Sequence, residues 1–282
     1  MRKSIITFIF IIGLLNFIVV SSGIADTETF DETYEISSGS DFEIYNRDGK
    51  IEIKGWDGYK IKIFATKKTR SSGILENVRI QVSPGAVFKV ETTHLVNNPK
   101  VSVSYAIRVP LNIRVKRVKT TNGKIVLEKI QGDTEVETSN GKIMIKDVTG
   151  NIHAETSNGA IEIEDVKGFV TANTSNGSID VEGVDGLIEL ETSNGAIEAE
   201  VPAIGDNGLR VRTNNGKIEL YLASDLNVDI EAKTSNNDIE LDEIEVIAQE
   251  ISRNRLRGKI GNGGKKVSIK TSNGGITLRR LK

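Results

Sequence analysis

The chain has 282 residues, a formal net charge of −2 and no cysteine. Its 27% charged and 38% hydrophobic residues are normal for a folded globular protein, which excludes a disordered polymer. The lack of cysteine excludes a disulfide framework, a lipid-modified cysteine and thiolate chemistry. Charge this mild and this evenly interspersed also argues against a nucleic-acid partner.

The first 25 residues have the pattern of a secretory signal peptide. Arg2 and Lys3 precede an apolar run over residues 4–20, and the small residues Gly23 and Ala25 suit a signal peptidase. We predict cleavage after Ala25, which changes the formal net charge from −2 to −4, and an exported protein, secreted or associated with the cell envelope. The alternative is an uncleaved anchor, because ~17 apolar residues are near the lower limit for crossing a bilayer. Membrane contact is expected only in that case.

Residues 26–110 are predicted to form an N-terminal β region. Phe42 to Lys68 contains an early copy of the repeat that follows and is predicted to be the first coil. Residues 77–110 carry longer alternating apolar runs without the repeat's corner sequence. They predict a capping or flanking sheet.

A repeat fills residues 111–237. Its corner sequence TSNG, or TTNG in the first copy, recurs every 18 residues, with its glycines at Gly123, Gly141, Gly159, Gly177 and Gly195. Looser copies end at Gly216, Asn237 and Gly274, after spacings of 21, 21 and 37 residues. A second turn lies about nine residues after each corner, so each unit holds two short strands. Apolar and polar residues alternate within those strands, as expected of half-buried β structure.

Aligning the units predicts the core and the corners. The predicted core columns are Ile143/Ile161/Ile179/Ile197, Val148/Val166/Val184, Ile152/Val170/Ile188, Ala154/Ala172/Leu190 and Thr156/Thr174/Thr192. The corner asparagines also align, at Asn140, Asn158, Asn176 and Asn194, and their amides are expected to hydrogen-bond along the stack. Asn-Gly also predicts a corner with positive φ, which both residues adopt readily.

The fold class predicted is all-β, a parallel β-solenoid of the β-helix or β-roll type, with 18-residue two-strand coils and irregular capping ends. One coil cannot bury its apolar face alone, so such units occur in stacks. The alternative is an antiparallel β-meander, since Asn-Gly is also the strongest hairpin signal. The unbroken 18-residue spacing favours the solenoid, because stacked coils require corners of equal length.

Residues 238–282 are predicted to be a capping segment followed by the last strands. Ile244 to Leu256 suits either a short helix or an extra strand pair over the far end. The basic C-terminus, Leu278 to Lys282, is expected to cap the last strand rather than contact lipid.

Four segments between roughly Phe30 and Leu281 carry a family resemblance: YNRDGKIEIKGWDGYKIKI, VSVSYAIRVPLNIRVK, the serial TSNG units and the closing GNGGKKVSIKTSNGGITL. With them the sequence resembles the putative adhesin family of bacterial and archaeal domains of unknown function. This resemblance implies a β-helix-like stack and a surface or extracytoplasmic role. It brings no catalytic, cofactor-binding or metal-binding residues.

The sequence offers few residues for catalysis. His94 and His153 are the only histidines, and neither has a serine or aspartate at a spacing typical of a catalytic triad. His153 is expected to be solvated on the polar side of its strand, and His94 to be solvated in a polar loop from Thr92 to Lys100. We therefore predict no enzyme activity, no cofactor and no metal site.

Two sets of outward residues invite a functional interpretation. The columns Glu162/Asp180/Glu198 and Glu164/Glu182/Glu200 place carboxylates about 4.8 Å apart on successive coils. A solvated acidic face is the favoured interpretation, with Ca²⁺ binding or paired acid and base groups as alternatives. Trp56, Tyr59 and Phe64 suit a carbohydrate-stacking platform, but a cover for the open end of the stack is favoured.

The predicted function is a non-enzymatic extracytoplasmic scaffold or adhesin-like binding protein. Its solenoid faces would be presented to a protein or glycan partner at the cell surface. The alternatives are a polysaccharide-active β-helix enzyme and a self-associating structural protein of the envelope. The regular residues serve the core and the corners, so any function is expected on the variable outward faces or the irregular ends.

Overall fold

The fold is seen in a computed structural model that describes residues 19–20, 26–69 and 74–282. Apart from Val19–Val20, the predicted signal peptide lies outside the described residues. Those residues form twenty-four strands and one 3-10 turn, Leu75–Asn77. In this part of the chain, no helix is long and apolar enough to cross a membrane.

The strands of the N-terminal half are β1 (Val19–Val20), β2 (Thr27–Glu35), β3 (Asp41–Tyr45), β4 (Ile51–Trp56), β5 (Lys60–Thr69), β6 (Val78–Ser83), β7 (Val87–His94), β8 (Val101–Pro110), β9 (Arg114–Lys119), β10 (Ile125–Gln131), β11 (Thr134–Asn140), β12 (Ile143–Thr149) and β13 (Ile152–Asn158). Those of the C-terminal half are β14 (Ile161–Asn176), β15 (Ile179–Asn194), β16 (Ile197–Val201), β17 (Leu209–Arg212), β18 (Ile218–Leu222), β19 (Val228–Lys233), β20 (Ile239–Asp242), β21 (Ile247–Ser252), β22 (Arg255–Ile260), β23 (Lys265–Lys270) and β24 (Ile276–Arg280).

Each coil contributes one strand to each of two walls. Wall 1 has the strand order β1-β2-β5-β8-β4-β10-β12-β14-β15-β16-β18-β24-β20, and wall 2 has the order β6-β7-β3-β9-β11-β13-β14-β15-β17-β23-β19-β22-β21. The long strands β14 and β15 turn a corner, so their first halves lie in wall 1 and their second halves in wall 2.

The repeats pair in parallel, one unit directly on the next. Ile143 lies opposite Ile161, and Ile161 opposite Ile179, in a register that advances by one whole repeat. This pairing confirms the parallel β-solenoid and excludes the meander for the repeat region. Antiparallel pairs occur towards the two ends of the stack, where β2, β5 and β6 cover one end and β21 and β22 the other.

The core between the walls is built from the predicted apolar columns. The isoleucine column at 143, 161, 179 and 197 is at most 1% exposed. The threonine column is also buried, and the hydroxyl of Thr174 donates a hydrogen bond to the carbonyl of Gly159 one coil below, at 3.0 Å. Buried hydroxyls thus satisfy corner carbonyls throughout the repeat.

One predicted core position is wrong. Ile188 was expected to follow Ile152 and Val170, but its side chain is 43% exposed, and Leu187 occupies the column instead, opposite Val170. A register shift between β14 and β15 places two residues of the later coil opposite one residue of the earlier coil. Such a β-bulge turns the extra side chain outward.

The expected asparagine ladder is confirmed, although the reason predicted for the corner glycines is wrong. The amide of Asn158 donates to Asn140 and accepts from Asn176, each at 2.9 Å, and the ladder begins at the carboxylate of Asp48. The glycine after Asn158, Gly159, has no positive φ; a Cβ there would lie 2.0 Å from the carbonyl oxygen of Gly141. Glycine is required because the corners of successive coils touch through their backbones.

The order of the coils differs from the order of the chain at both ends. The coil of β3 and β4 lies between those of β7–β8 and β9–β10, and the coil of β23 and β24 lies between those of β17–β18 and β19–β20. The predicted first coil is therefore not the outermost one. The C-terminal Leu278 is buried in β24 within wall 1, so this segment does not act as a cap as predicted.

The segment from Ile244 to Leu256 contains no helix. It includes β21 and the first residues of β22, which pair antiparallel and extend wall 2 beyond β19. Of the two structures proposed for this segment, the strand pair is confirmed and the helix is wrong.

Candidate binding surfaces

The outer face of wall 1 carries the predicted acidic columns. Glu162 lies opposite Asp180, Asp180 opposite Glu198, and Glu164 opposite Glu182. Lys142 forms an ion pair with Glu162, and Lys146 with Glu164. The lysines therefore neutralise the earlier members of both columns and leave the later ones to face each other.

Repulsion between neighbouring carboxylates affects the pKa values of this acidic face. Burial, together with the carboxylates of Glu198 and Glu162, raises the pKa of Asp180. Partial burial and neighbouring carboxylates, Glu164 first, raise the pKa of Glu182. Within the described residues, no group of three or more acidic or histidine side chains is arranged to hold a metal ion. The later carboxylates thus form a charged face on which like charges meet.

The outer face of wall 2 forms a groove beside the TSNG corner. Its cavity is about 510 Å³. Two stacked columns line it, Glu137/Glu155/Asn173/Glu191/Arg212 and Ser139/Ser157/Ser175/Ser193/Asn214. The groove exists because serine and threonine alternate in the corner sequence, so that threonine points into the core and serine points outward.

The groove contains polar atoms that accept no hydrogen bond. Within the described residues these are the buried side-chain oxygen Oδ1 of Asn173 and the oxygen Oε1 of Glu191, the second of which lies 3.8 Å from Nη1 of Arg210. The serine hydroxyls of the second column also make no hydrogen bond in this part of the chain. A buried polar atom such as Oδ1 of Asn173 is costly unless water or a ligand satisfies it, whereas the hydroxyls of Ser157 and Ser175 are exposed to solvent. The groove therefore offers unused donors and acceptors in a regular row.

Sequence reasoning missed this groove because it assigned the whole TSNG motif to the corner. The alternation of inward Thr156 and outward Ser157 was visible in the sequence and was the available signal. The depth of the groove could not be predicted from the sequence, because it depends on the position of the corner relative to wall 2.

A second, more apolar cleft lies at the opposite edge of wall 2. It has a volume of about 540 Å³, and Phe169, Ile188 and His153 are among the residues that line it. The β-bulge turns the side chain of Ile188 towards this cleft. Gly205 and Asp206, in the longer loop between β16 and β17, also line the cleft. This loop falls within the first 21-residue spacing, so the irregularities of the repeat shape the cleft.

The two histidines have different surroundings. His153 lies on the outer face of wall 2, with its Nε2 3.0 Å from Glu155, which agrees with the expected solvated position. His94 is the last residue of β7 rather than part of a loop, so its predicted position is wrong. Burial, followed by the charge of Arg47, lowers the pKa of His94. Neither histidine forms a triad with a serine and an aspartate in the described residues.

The three aromatic residues do not form one cover over the open end of the stack, although Phe64 lies in β5 at that end. Trp56 lies at the end of β4 inside wall 1, where its Nε1 donates to the carbonyl of Lys60 at 3.1 Å. Phe64 and Tyr59 are 43% and 75% exposed. Lys62 lies over one face of the Trp56 ring, with its Nζ 4.5 Å from the ring centroid.

Comparisons with known proteins place the chain in a family. The model of the family Toastrack DUF4097 matches residues 42–279. No curated protein matches the chain.

Two solved structures are similar over most of their length. A putative adhesin from Bacteroides fragilis is 13% identical with a TM-score of 0.46, over 89% of this chain and 96% of that one. A putative lipid binding protein from Parabacteroides distasonis is 13% identical with a TM-score of 0.35, over 92% of this chain and 98% of that one. At these values the likeness carries no functional argument. The family match spans the solenoid from its first coil to its last strand, and the chain belongs to the family Toastrack DUF4097.

Proposed function

We propose that this protein is a non-enzymatic scaffold outside the cytoplasm, secreted or held at the cell envelope, which binds a glycan or protein partner along wall 2. The observation that carries the proposal is the groove beside the TSNG corner. It repeats similar polar side chains on successive coils, and it includes the unpaired Oδ1 of Asn173.

The regular spacing favours an extended partner over a small molecule. Neighbouring strands lie about 4.8 Å apart, so each serine hydroxyl recurs at that interval along the groove. A linear chain with regularly placed hydroxyl or amide groups can bond to several coils at once. Many weak and equivalent contacts along a chain are the basis of multivalent binding.

A groove-filling variant tests the proposal. Ser157→Trp places a bulky side chain in the middle of the groove, and Val126→Trp places one on the outer face of wall 1 as the matched control. Both variants are compared with the native protein on glycan arrays and on purified cell-surface proteins. We expect a bound partner whose binding Ser157→Trp abolishes and Val126→Trp preserves. Equal binding by all three proteins would refute the groove as the site.

Two further measurements test the remaining parts of the proposal. Reproducible glycan cleavage that is lost in Glu164→Gln would overturn the non-enzymatic assignment. N-terminal sequencing of the exported protein is expected to begin at Asp26. A product that retains the first 25 residues would instead support a membrane anchor.

A further inference from the structure

Opposite outward charges are paired across several coils of wall 2, although Glu137 lies opposite Glu155. Arg117 lies opposite Glu135 and Lys119 opposite Glu137, and each pair forms an ion pair. Opposite charges on neighbouring strands stabilise a sheet, and like charges directly opposite each other destabilise it. A run of like charges in one column therefore needs an explanation.

Such a run occurs towards the C-terminal end of wall 2. Arg212 lies opposite Lys270, and Lys270 lies opposite Lys233, so three cations are stacked on adjacent strands. All three side chains are exposed. Within the described residues none of the three takes part in an ion pair, whereas the neighbouring Arg210 and Lys266 do. We name Arg212, Lys270 and Lys233 the basic stripe.

The basic stripe borders a concave part of the surface. A cavity of about 400 Å³ is lined by Arg212 and Lys270 together with Arg210, Lys266 and the hydroxyl-bearing Ser268. Arg210 lies near Glu189 and Glu191, and Lys266 is paired with Glu231. Within the stripe, Arg212 has Glu191 opposite it on the other neighbouring strand, whereas Lys270 and Lys233 have only cations opposite them on both sides, Arg255 included. The cavity thus provides cations and a hydroxyl donor on one surface.

The stripe is continuous with the groove of wall 2. Arg212 lines both the groove and the cavity. Arg212 therefore marks the boundary between the groove, whose lining includes Glu137 and Glu155, and the basic stripe.

We propose that the basic stripe binds a polyanionic polymer, a chain that carries repeated phosphate, sulfate or carboxylate groups. The stripe runs along the stack, and its cations recur about every 4.8 Å, which suits a linear anion better than a single one. Arginine and lysine are the usual partners of such anions. No aromatic side chain lines the cavity in the described residues, so it lacks the platforms on which nucleic-acid bases stack. The inference rests on the proposed function and specifies the ligand class of the C-terminal part of wall 2, beyond the carboxylates of Glu137, Glu155 and Glu191 that line the groove.

The test compares two triple variants of equal charge change. The first is Arg212→Gln, Lys233→Gln and Lys270→Gln. The control is Lys68→Gln, Arg108→Gln and Lys124→Gln, whose native side chains are exposed and form no ion pair in the described part of the chain. Binding of polyphosphate, heparin and polygalacturonate is measured by calorimetry over a range of salt concentrations, with phosphatidylglycerol vesicles as a separate arm.

We expect at least one polymer to bind the native protein with an affinity that falls as salt rises. The stripe variant is expected to lose on the order of tenfold in affinity at low salt and to show a weaker salt dependence, while the control stays near native. The polymer that binds identifies the anionic group. Equal losses in both variants would show an effect of net charge alone and overturn the proposal. Binding to vesicles but to no polymer would also overturn it, in favour of a lipid surface.

The failure of this proposal is distinguishable from failure of the proposed function. If no polyanion binds but a neutral glycan or a protein does, and Ser157→Trp abolishes that binding, the groove stands and the stripe is refuted. If the stripe variant loses polyanion binding while Ser157→Trp changes nothing, the stripe stands without the groove.

Discussion

The corner glycines provide the sharpest test of how the coils stack. In Gly159→Ala the new Cβ would lie 2.0 Å from the carbonyl oxygen of Gly141, well below the 3.0 Å that real Cβ contacts respect. The obstacle is backbone and cannot rotate away. The same carbonyl accepts the hydroxyl of Thr156 at 3.2 Å, so the coils cannot separate there without straining that bond.

The expected destabilisation follows from two contributions. Overpacking a close contact costs about 1 to 3 kcal/mol. Opening the corner weakens the bonds from Gly141 N to Asn158 O and from Gly159 N to Asn176 O, each 3.0 Å long, and each contributes about 1 kcal/mol. We therefore expect Gly159→Ala to lower the free energy of unfolding by about 3 to 5 kcal/mol, measured by urea denaturation followed by circular dichroism.

Two adjacent glycines supply a matched control. A Cβ at Gly274 would lie 1.8 Å from the carbonyl oxygen of Gly216, whereas one at Gly275 would come no closer than 3.6 Å, to Asp238. We expect Gly274→Ala to destabilise strongly and Gly275→Ala to stay within about 1 kcal/mol of the native protein. Equal effects at the two positions, or a stability of Gly159→Ala indistinguishable from native, would refute close backbone contact as the reason for glycine.

Three further predictions concern the core, the ladder and an ion pair. Leu187→Ala is expected to lower the free energy of unfolding by about 2 to 5 kcal/mol and Ile188→Ala by less than about 1 kcal/mol. The reverse order in urea denaturation would show that Ile188, and not Leu187, occupies the core column. Asn158→Ala removes two exposed hydrogen bonds of the asparagine ladder and is expected to lower the free energy of unfolding by about 1 kcal/mol. An unchanged melting temperature would mean that the ladder does not contribute to stability. Hydrogen bonds from Lys217 and Arg279 lower the pKa of Glu219 from 4.5 to about 2. The ionised carboxylate of Glu219 therefore stabilises the folded state above pH 4.5, and this stabilisation is lost as the pH falls towards 2. Glu219→Gln should be less stable than native at pH 7 by at most about 1 kcal/mol and equally stable near pH 2, and a difference that persists at pH 2 would contradict this.

Much of the solenoid was predictable because stacking repeats the same local problem. Each coil must bury its apolar side chains against the next, so the columns of Ile143 and Thr156 follow directly from the repeat. The asparagine ladder follows for the same reason, since residues one repeat apart become neighbours. A fixed spacing in the sequence becomes a fixed register in space.

The sequence did not reveal where the regular pattern breaks. Ile188 occupies the repeat position of a core residue, and only the bulge against Val170 turns it outward. The requirement for glycine at Gly159 was visible, but its cause is contact with another coil, which depends on the distance between corners. Local propensity alone suggested a positive φ.

The sequence by itself determined the repeat, the two-strand coil and most of the core columns, and it favoured the parallel stack over an antiparallel meander. Only the tertiary structure decided the order of the terminal coils, the depth of the groove and the basic stripe. Arg212, Lys233 and Lys270 are far apart along the chain and become neighbours because β23 inserts between β17 and β19. The physical reason is that a repeat specifies only the contacts between successive coils. The positions of the irregular terminal strands depend on packing and hydrogen bonding across the whole stack.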